Sequence, residues 1–459
     1  MSGKPINILG ASYTDEALAL AHQESINWIP EKVEVDGARN ASVMKSAPGL
    51  QQFSDTGGGA IRASLTMSDV LYVVSGEGLY SIDIAGAPTY LGFVPTSAHV
   101  CMSENGYQLV IVNGIDGFVY DNRTSVFSQI TSPNFYPTES CDFIDQYIIF
   151  VRKGTGQFFW CAIADATTYD ALDFSTAEAN TDLLIAIKII HREIWLFGER
   201  SIEIWVDSGD ANSPFTRSSA LIEKGIASVA CASKLDNTLF WLSNDGYVYR
   251  GYGYNPLRIS THAIEQGISE EVLSDAISFA YEDTGHGYFI LTFVTGKTWC
   301  YDVSSSLWHR RKSYGMTRWR ANNYIRVYDK HFVGDYAKGI VWELRRDLFS
   351  EGTDPLVSER ITQYFHANEN YIYPSELEIT LNTGDVDQNG QGSDPMFEMR
   401  YSDDGGRNWT NWKQRSLGKI GQYNKRIRFH GLGRFRSRLF HFRISDPVRR
   451  DLIAASAIV

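Results

Sequence analysis

Cysteine is scarce and scattered in this chain. Cys101, Cys141, Cys161, Cys231 and Cys300 are odd in number and form no CxxC pair. That argues against a disulfide framework and a thiolate zinc site, and predicts buried, reduced thiols. No apolar run approaches the roughly 20 residues that span a bilayer. The start, MSGKPINILGASYTDEAL, has no charged-then-apolar secretory pattern, so synthesis in a cytoplasm is expected. His191, His262, His286, His309 and His331 stand apart without metal-ligand spacing. Neither GxSxG nor a P-loop occurs, and GYGYNP near Gly251 follows a hairpin with no helix after it. No catalytic residue, metal site or cofactor is expected.

Positive charge is outnumbered over most of the chain. The net charge is −12, yet residues 401–459 carry 13 Lys and Arg against 4 Asp and Glu, which leaves −21 on residues 1–400. Such a body repels a phosphate backbone, because DNA affinity comes largely from cations that displace counterions. The basic end has no DNA-reading motif and suits docking onto an acidic protein surface equally well.

What the chain has in quantity is glycine (39), tyrosine (25), phenylalanine (24) and tryptophan (11), the residues of an all-β protein with tight turns. Seven hairpins of one design recur: LYVVSGEGLYSID from Leu71, LVIVNGIDGFVYD from Leu109, YIIFVRKGTGQFFW from Tyr147, IWLFGERSIEIWVD from Ile194, LFWLSNDGYVYR from Leu239, FILTFVTGKTWCYD from Phe289 and FVGDYAKGIVWEL from Phe332. Their starts are 38, 38, 47, 45, 50 and 43 residues apart. One hairpin cannot bury both faces, whereas four strands per period stacked radially can. The expectation is a β-propeller of six or seven blades over residues 61–350. Residues 1–60 fall outside the rhythm and read as an arm that closes the propeller or reaches a neighbour. Within it, Thr14 to Gln23 is predicted as a short helix capped by Thr14, and Gly57 to Gly59 as a flexible turn. Ser260 to Ile277 has the spacing of a short amphipathic helix. Residues 351–459 alternate in strand fashion and are predicted as a separate, basic β-sandwich.

Two motifs stand out. Ser402, Asp404, Gly406 and Trp409 in SDDGGRNW fit the S-x-D-x-G-x-x-W pattern called an Asp box, whose Asp and Ser lock a hairpin turn over the Trp. Its expected role is fold-locking. Lys425, Arg426, Arg428, Arg434, Arg436 and Arg438 alternate with Ile427, Phe429, Phe435 and Phe440. A strand would place cations on one face and apolar groups on the other. That face is either solvated or a candidate docking face. Asp207 and Asp210 in WVDSGD read as turn residues.

The arm (GASYTDEALALAHQESINWIPE, APGL) and the run GERSIEIWVDSGD, PFTRSSALIEKGIASVA, NTLFWLSNDGYVYRGYGYNPLRISTHAIEQGI and LWHRRKSYG resemble the packaged-DNA stabilisation protein of short-tailed double-stranded DNA phages. The likeness continues through MRYSDDGGRNW and LGRFRSRLFHFRISDP, so it covers nearly the whole chain. It implies a virion protein, a tail hub or nozzle. Six copies would form a ring below portal and adaptor, with a needle plugging the channel and tailspikes around the side. Double-stranded DNA would pass through without sequence-specific binding, held until ejection into the host. An acidic wall lets DNA slide where a basic one would hold it. A glycan-binding or glycan-cleaving propeller is the alternative, and it requires aromatics and paired carboxylates converging in a cleft. A cytosolic scaffold, a third reading, requires a soluble client.

Overall fold

A computed structural model describes residues 3–6, 8, 10–15, 21–33, 42–96, 99–210, 213–367, 370–385, 390–423 and 425–458. Among these residues, five separate four-stranded antiparallel sheets form blades 1 to 5, and four-stranded antiparallel parts of two larger sheets form blades 6 and 7. The seven hairpins are the two middle strands of each blade. Blade 1 has Val70–Ser75 and Gly78–Ile82 in the middle, flanked by Ile61–Met67 inside and Pro88–Phe93 outside. Middle strands read as continuous apolar runs because a blade lies against each of their faces. Separate apolar clusters fill the blade-to-blade gaps, such as Leu109, Ile111 and Phe118 with Tyr72 and Val74 between blades 1 and 2.

Cross-strand pairs carry the repeat from the third strand to the fourth. Tyr301 lies directly opposite Trp308, ring centroids 5.1 Å apart, and Tyr120 opposite Phe127. The Asp after each tyrosine accepts a backbone N–H in the next turn: Asp302 from Ser304 at 3.0 Å, Asp121 from Arg123 at 2.9 Å. The first and second strands join through tight turns with two left-handed residues in blades 1 and 3 to 7: Ser68-Asp69, Asp145-Gln146, His191-Arg192, Asp236-Asn237, Thr284-Gly285 and Tyr328-Asp329. Positive φ at both positions matches the twist of the flanking strands.

The chain start closes the ring. Gly49–Asp55 pairs with Ile340–Arg345 as the outermost strand of blade 7, and Ile61 then opens blade 1. Ile61, Leu71 and Val73 pack on Val327, Phe332 and Val341 across this joint. The backbones meet so closely that a Cβ on Gly76, at φ +53°, would fall 1.7 Å from the Gly58 oxygen.

A β-sandwich completes the molecule. One sheet runs Trp28–Lys32, Ser42–Ser46, Leu452–Ile458, Glu376–Leu381, Ile427–His430, and Gly3–Ile6 also pairs with Leu452–Ile458. The other runs His22–Ile26, Ser358–Ile361, Ser437–Ile444, Met396–Ser402, Lys413–Ser416. Early residues therefore supply strands to both sheets. Ile26 also bridges in parallel to Arg310 on the outer strand of blade 6, joining sandwich to propeller.

Two helix expectations meet different outcomes. His262–Ser269 is an α-helix, inside the predicted span. Residues 16–20 of the other span lie outside the described residues, and its described ends are strand: Thr14 pairs with His22 and Tyr13 with Gln23. Thr14 is thus a strand residue, and its hydroxyl donates to the Gln23 carbonyl at 3.3 Å.

Candidate docking surfaces

The Asp box occupies the turn between Met396–Ser402 and Lys413–Ser416. The Ser402 hydroxyl oxygen accepts from Gly406 N at 2.9 Å and lies 2.7 Å from Asp404 Oδ1. Asp404 in turn accepts from the Asn408 backbone N–H at 2.9 Å and its side-chain amide at 2.6 Å. These bonds, the Asn408 backbone bond foremost, pull the Asp404 carboxyl down to about 2. Gly406 has φ +87°, and a Cβ there would lie 2.3 Å from His22 Nδ1 and 3.5 Å from the Trp409 ring. The locked turn thereby receives the chain start: His22 Nδ1 is 3.3 Å from the Gly405 carbonyl. Asp404 and Ser402 spend their hydrogen bonds within the turn, which suits locking. Asp207 likewise holds its own turn, accepting from Gly209 N at 2.8 Å.

Of the six cations expected to share a face, Arg438 does not. It is 2% exposed, with Nε and Nη2 donating to the two oxygens of Asp403 at 2.6 and 2.7 Å. Nη1 donates to the Leu432 carbonyl, and the guanidinium lies 3.7 Å from the Tyr401 ring centre and 3.9 Å from that of Phe435. The two-residue alternation breaks here because the Asp403 carboxylate and the rings of Tyr401 and Phe435 hold the guanidinium inside. Alternation does hold on Ile427–His430, where Ile427 and Phe429 are buried and Arg428 and His430 exposed. Arg428 is neutralised by Glu376 and Glu378, each 3.2 Å away, while Arg426 lies 3.9 Å from Glu378. Lys425 donates to the Ser416 hydroxyl at 2.9 Å.

That leaves Arg434 and Arg436, which have no ion-pair partner among the described residues. Their guanidinium carbons lie 4.9 and 4.7 Å from the Tyr371 ring centre. Ile372 and Phe435, both buried, form an antiparallel bridge. Side chains alternate across such a pair, so Tyr371, Tyr373, Arg434 and Arg436 face solvent together. The two tyrosines escaped the sequence reading; YIYP, alternating ahead of Glu376–Leu381, was the available signal.

Along the propeller axis the inner strands enclose a cavity of about 680 Å³. Lys234 of blade 5 reaches past blade 4 to Asp142 of blade 3, Nζ to Oδ2 2.9 Å. A second cleft, about 830 Å³, lies between propeller and sandwich and contains Tyr281, Tyr288 and several carboxylates. Its Asp283 is held by Arg346 at 2.6 Å and its Asp451 by Arg449 at 2.8 Å. His286 at its wall sits 3.1 Å from the buried Asp302. The other sequence histidines are separate: His191 on Asn237, His262 near Glu265, His331 on Tyr324, and His309 buried.

Two family models match the chain, bacteriophage P22 Gp10 beta-propeller over residues 5–348 and bacteriophage P22 Gp10 beta-sandwich over residues 358–459. The chain belongs to the bacteriophage P22 Gp10 family. As a Gp10-family chain it is a phage structural protein of the tail hub, or nozzle, type, and its place is in the virion. The two Gp10 models name the same two bodies that the strands build. No curated protein sequence matches the chain. Solved structures similar to it include the computationally designed Ika8 protein, at 10% identity and TM-score 0.42, covering 64% of this chain and 99% of that one. The WD40 domain of Neurospora crassa Pan2 matches at 10% identity and TM-score 0.42, covering 65% and 96%. The extracellular domain of the putative hybrid two component system BT4673 of B. thetaiotaomicron matches at 10% identity and TM-score 0.45, covering 64% and 39%. No described helix of this Gp10-family chain is long and apolar enough to cross a membrane.

Proposed function

We propose that this protein is the hub of a short phage tail, docking as a ring of six copies below portal and adaptor, extending the DNA channel and retaining the packaged genome until ejection. The observation that carries the reading is the end-to-end Gp10 match across both bodies. The axial cavity is only about 680 Å³, with Lys234 bound to Asp142 on its wall, which favours a channel that runs between copies. An acidic body suits such a channel, because it slides along a phosphate backbone where cations would hold it. The joint between propeller and sandwich suits a load-bearing part. Asn27 ties blade 6 to the linker through its amide, which donates to the carbonyls of Lys312 and Val357, and Arg450 of the sandwich reaches back to the Phe349 carbonyl at 2.9 Å. Needle and tailspikes are the further partners of this reading, and the free protein is a monomer until docked.

Mass photometry of the purified protein with portal–adaptor complexes from the same phage tests the proposal. Six added copies per complex is the expected result. Absence of binding would sink it, and cleavage of a host-surface glycan would favour the enzyme reading.

A further inference from the structure

The patch of Tyr371, Tyr373, Arg434 and Arg436 has the composition of an interface centre: exposed aromatic rings with arginines that no carboxylate among the described residues satisfies. It lies at the sandwich end away from the propeller linker. Ser437–Ile444 pairs with the incoming strand through Ser358 opposite Ile444, whereas Arg438 and Ser437, at its other end, adjoin the patch.

The opposite character gathers at the far side of the propeller. The sandwich attaches at blade 6 through Ile26 with Arg310, and the linker that enters it lies on blade 7 through Glu351 with Leu50. In a ring of seven, blade 3 lies across from that junction. Residues 165–223, from blade 3 into blade 4, hold 11 Asp and Glu against 4 Lys and Arg. On the outer rim of blade 3, Leu172 is 82% exposed and Phe174 41%. Asp170 and Asp173 flank them without an ion-pair partner among the described residues. The Asp173 carboxyl sits above its ordinary value, through burial and then through Asp170 beside it. Asp207 of blade 4 is close enough to act with Asp173 on Tyr147. Acidic, apolar and unpaired, this rim complements the Tyr/Arg patch in charge and in apolar contact.

We propose that the Tyr371–Tyr373–Arg434–Arg436 patch of one copy docks on the Asp170–Leu172–Asp173–Phe174 rim of a second copy. The contact is head-to-tail, two different surfaces at opposite ends of one chain, and repetition of such a contact closes a ring or extends a filament. This inference rests on the ring reading above and assigns its copy-to-copy surfaces.

Two variants test it: Arg434→Glu with Arg436→Glu, and Asp170→Lys with Asp173→Lys. Each alone sets like charges against each other at every junction, so each should load onto portal–adaptor complexes about tenfold less than wild type, or worse. Mixed in equal amounts they restore opposite charges at every junction. The mixture should load like wild type, with equal numbers of each variant. A mixture no better than its components, or either variant loading normally alone, overturns the proposal while the hub reading stands. Should wild type itself fail to load, the hub reading falls. Sedimentation of concentrated protein at low salt then decides, and a wild type that stays monomeric there overturns the contact as well. Leu172→Ser, at a site that no core needs, keeps the test readable if the lysine pair unfolds blade 3. It should weaken loading, and normal loading counts against the contact.

Discussion

The indole Nε1–H of Trp28 donates to the carbonyl of Arg450, 2.8 Å away and 422 residues later in the chain. Trp28 is wholly buried in the sandwich core with Met44, Leu377, Phe397, Phe442 and Leu452. A residue near the start thus completes a body built from the end. Trp28→Ala should destabilise the sandwich by about 3–5 kcal/mol. Thermal unfolding followed by tryptophan fluorescence checks this. A melting temperature within a degree of wild type would show that the early strands are dispensable to the sandwich.

Asn27, next in the chain, is 1% exposed and left-handed at φ 53°. Its amide donates to the carbonyls of Lys312 at 2.8 Å and Val357 at 2.7 Å, and its side-chain oxygen accepts from Lys312 N at 3.1 Å. One side chain thereby clamps the end of blade 6 to the linker. Asn27→Ala loses three bonds and forces alanine into a left-handed conformation, a cost of about 2–4 kcal/mol. Asn27→Gly keeps the backbone free and loses only the bonds, so it should lie between the two. Calorimetry should show one transition for wild type and separated propeller and sandwich transitions for Asn27→Ala.

His309 is buried, and its Nδ1 has no hydrogen-bond partner among the described residues. Burial first, then Arg311 and His286, pushes its pKa from 6.5 down to about 3. The unfolded chain takes up a proton that the folded one refuses between these values. The stability is therefore intact above pH 6.5 and falls with acid, by up to about 1.4 kcal/mol per pH unit, until the folded pKa is passed. Urea unfolding of wild type against His309→Gln from pH 7 to 4 checks it. The difference between them should narrow as pH falls, and parallel curves would refute a neutral buried ring.

Arg438 predicts that not all cations of the basic stretch are equal. Arg438→Ala breaks a bidentate pair with the half-exposed Asp403, empties the space between the Tyr401 and Phe435 rings and leaves the Leu432 carbonyl without its donor, at about 1–3 kcal/mol. Arg434→Ala and Arg436→Ala, at exposed sites, should change stability by less than about 0.5 kcal/mol. Denaturation midpoints of the three variants separate a structural arginine from two available for docking.

Much was legible in the sequence for a simple reason. The two middle strands of every blade are buried on both faces, so they appear as dense apolar runs at a regular period. Inner and outer strands were not legible. Inner strands such as Cys101–Glu104 and Ala232–Leu235 face the axis on one side and carry mixed small and polar residues. Outer strands such as Val126–Gln129 and Asn255–Arg258 are short and largely exposed, with no pattern to read. The Asp box was visible because its hydrogen bonds are local, spanning Ser402 to Asn408. Arg438 was misplaced because strand alternation says nothing of Asp403, which lies in the turn just after Ser402.

The sequence by itself determined the repeat, the all-β class, the acidic body with its basic end, and the family likeness, since each is written in local pattern or composition. Only the tertiary structure decided that seven blades close through Gly49–Asp55, that His22–Ile26 and Trp28–Lys32 build the sandwich, and that two of six cations stay unpaired beside Tyr371. Those outcomes depend on contacts between residues hundreds of positions apart, where packing and charge pairing select the partner and no local periodicity records the choice.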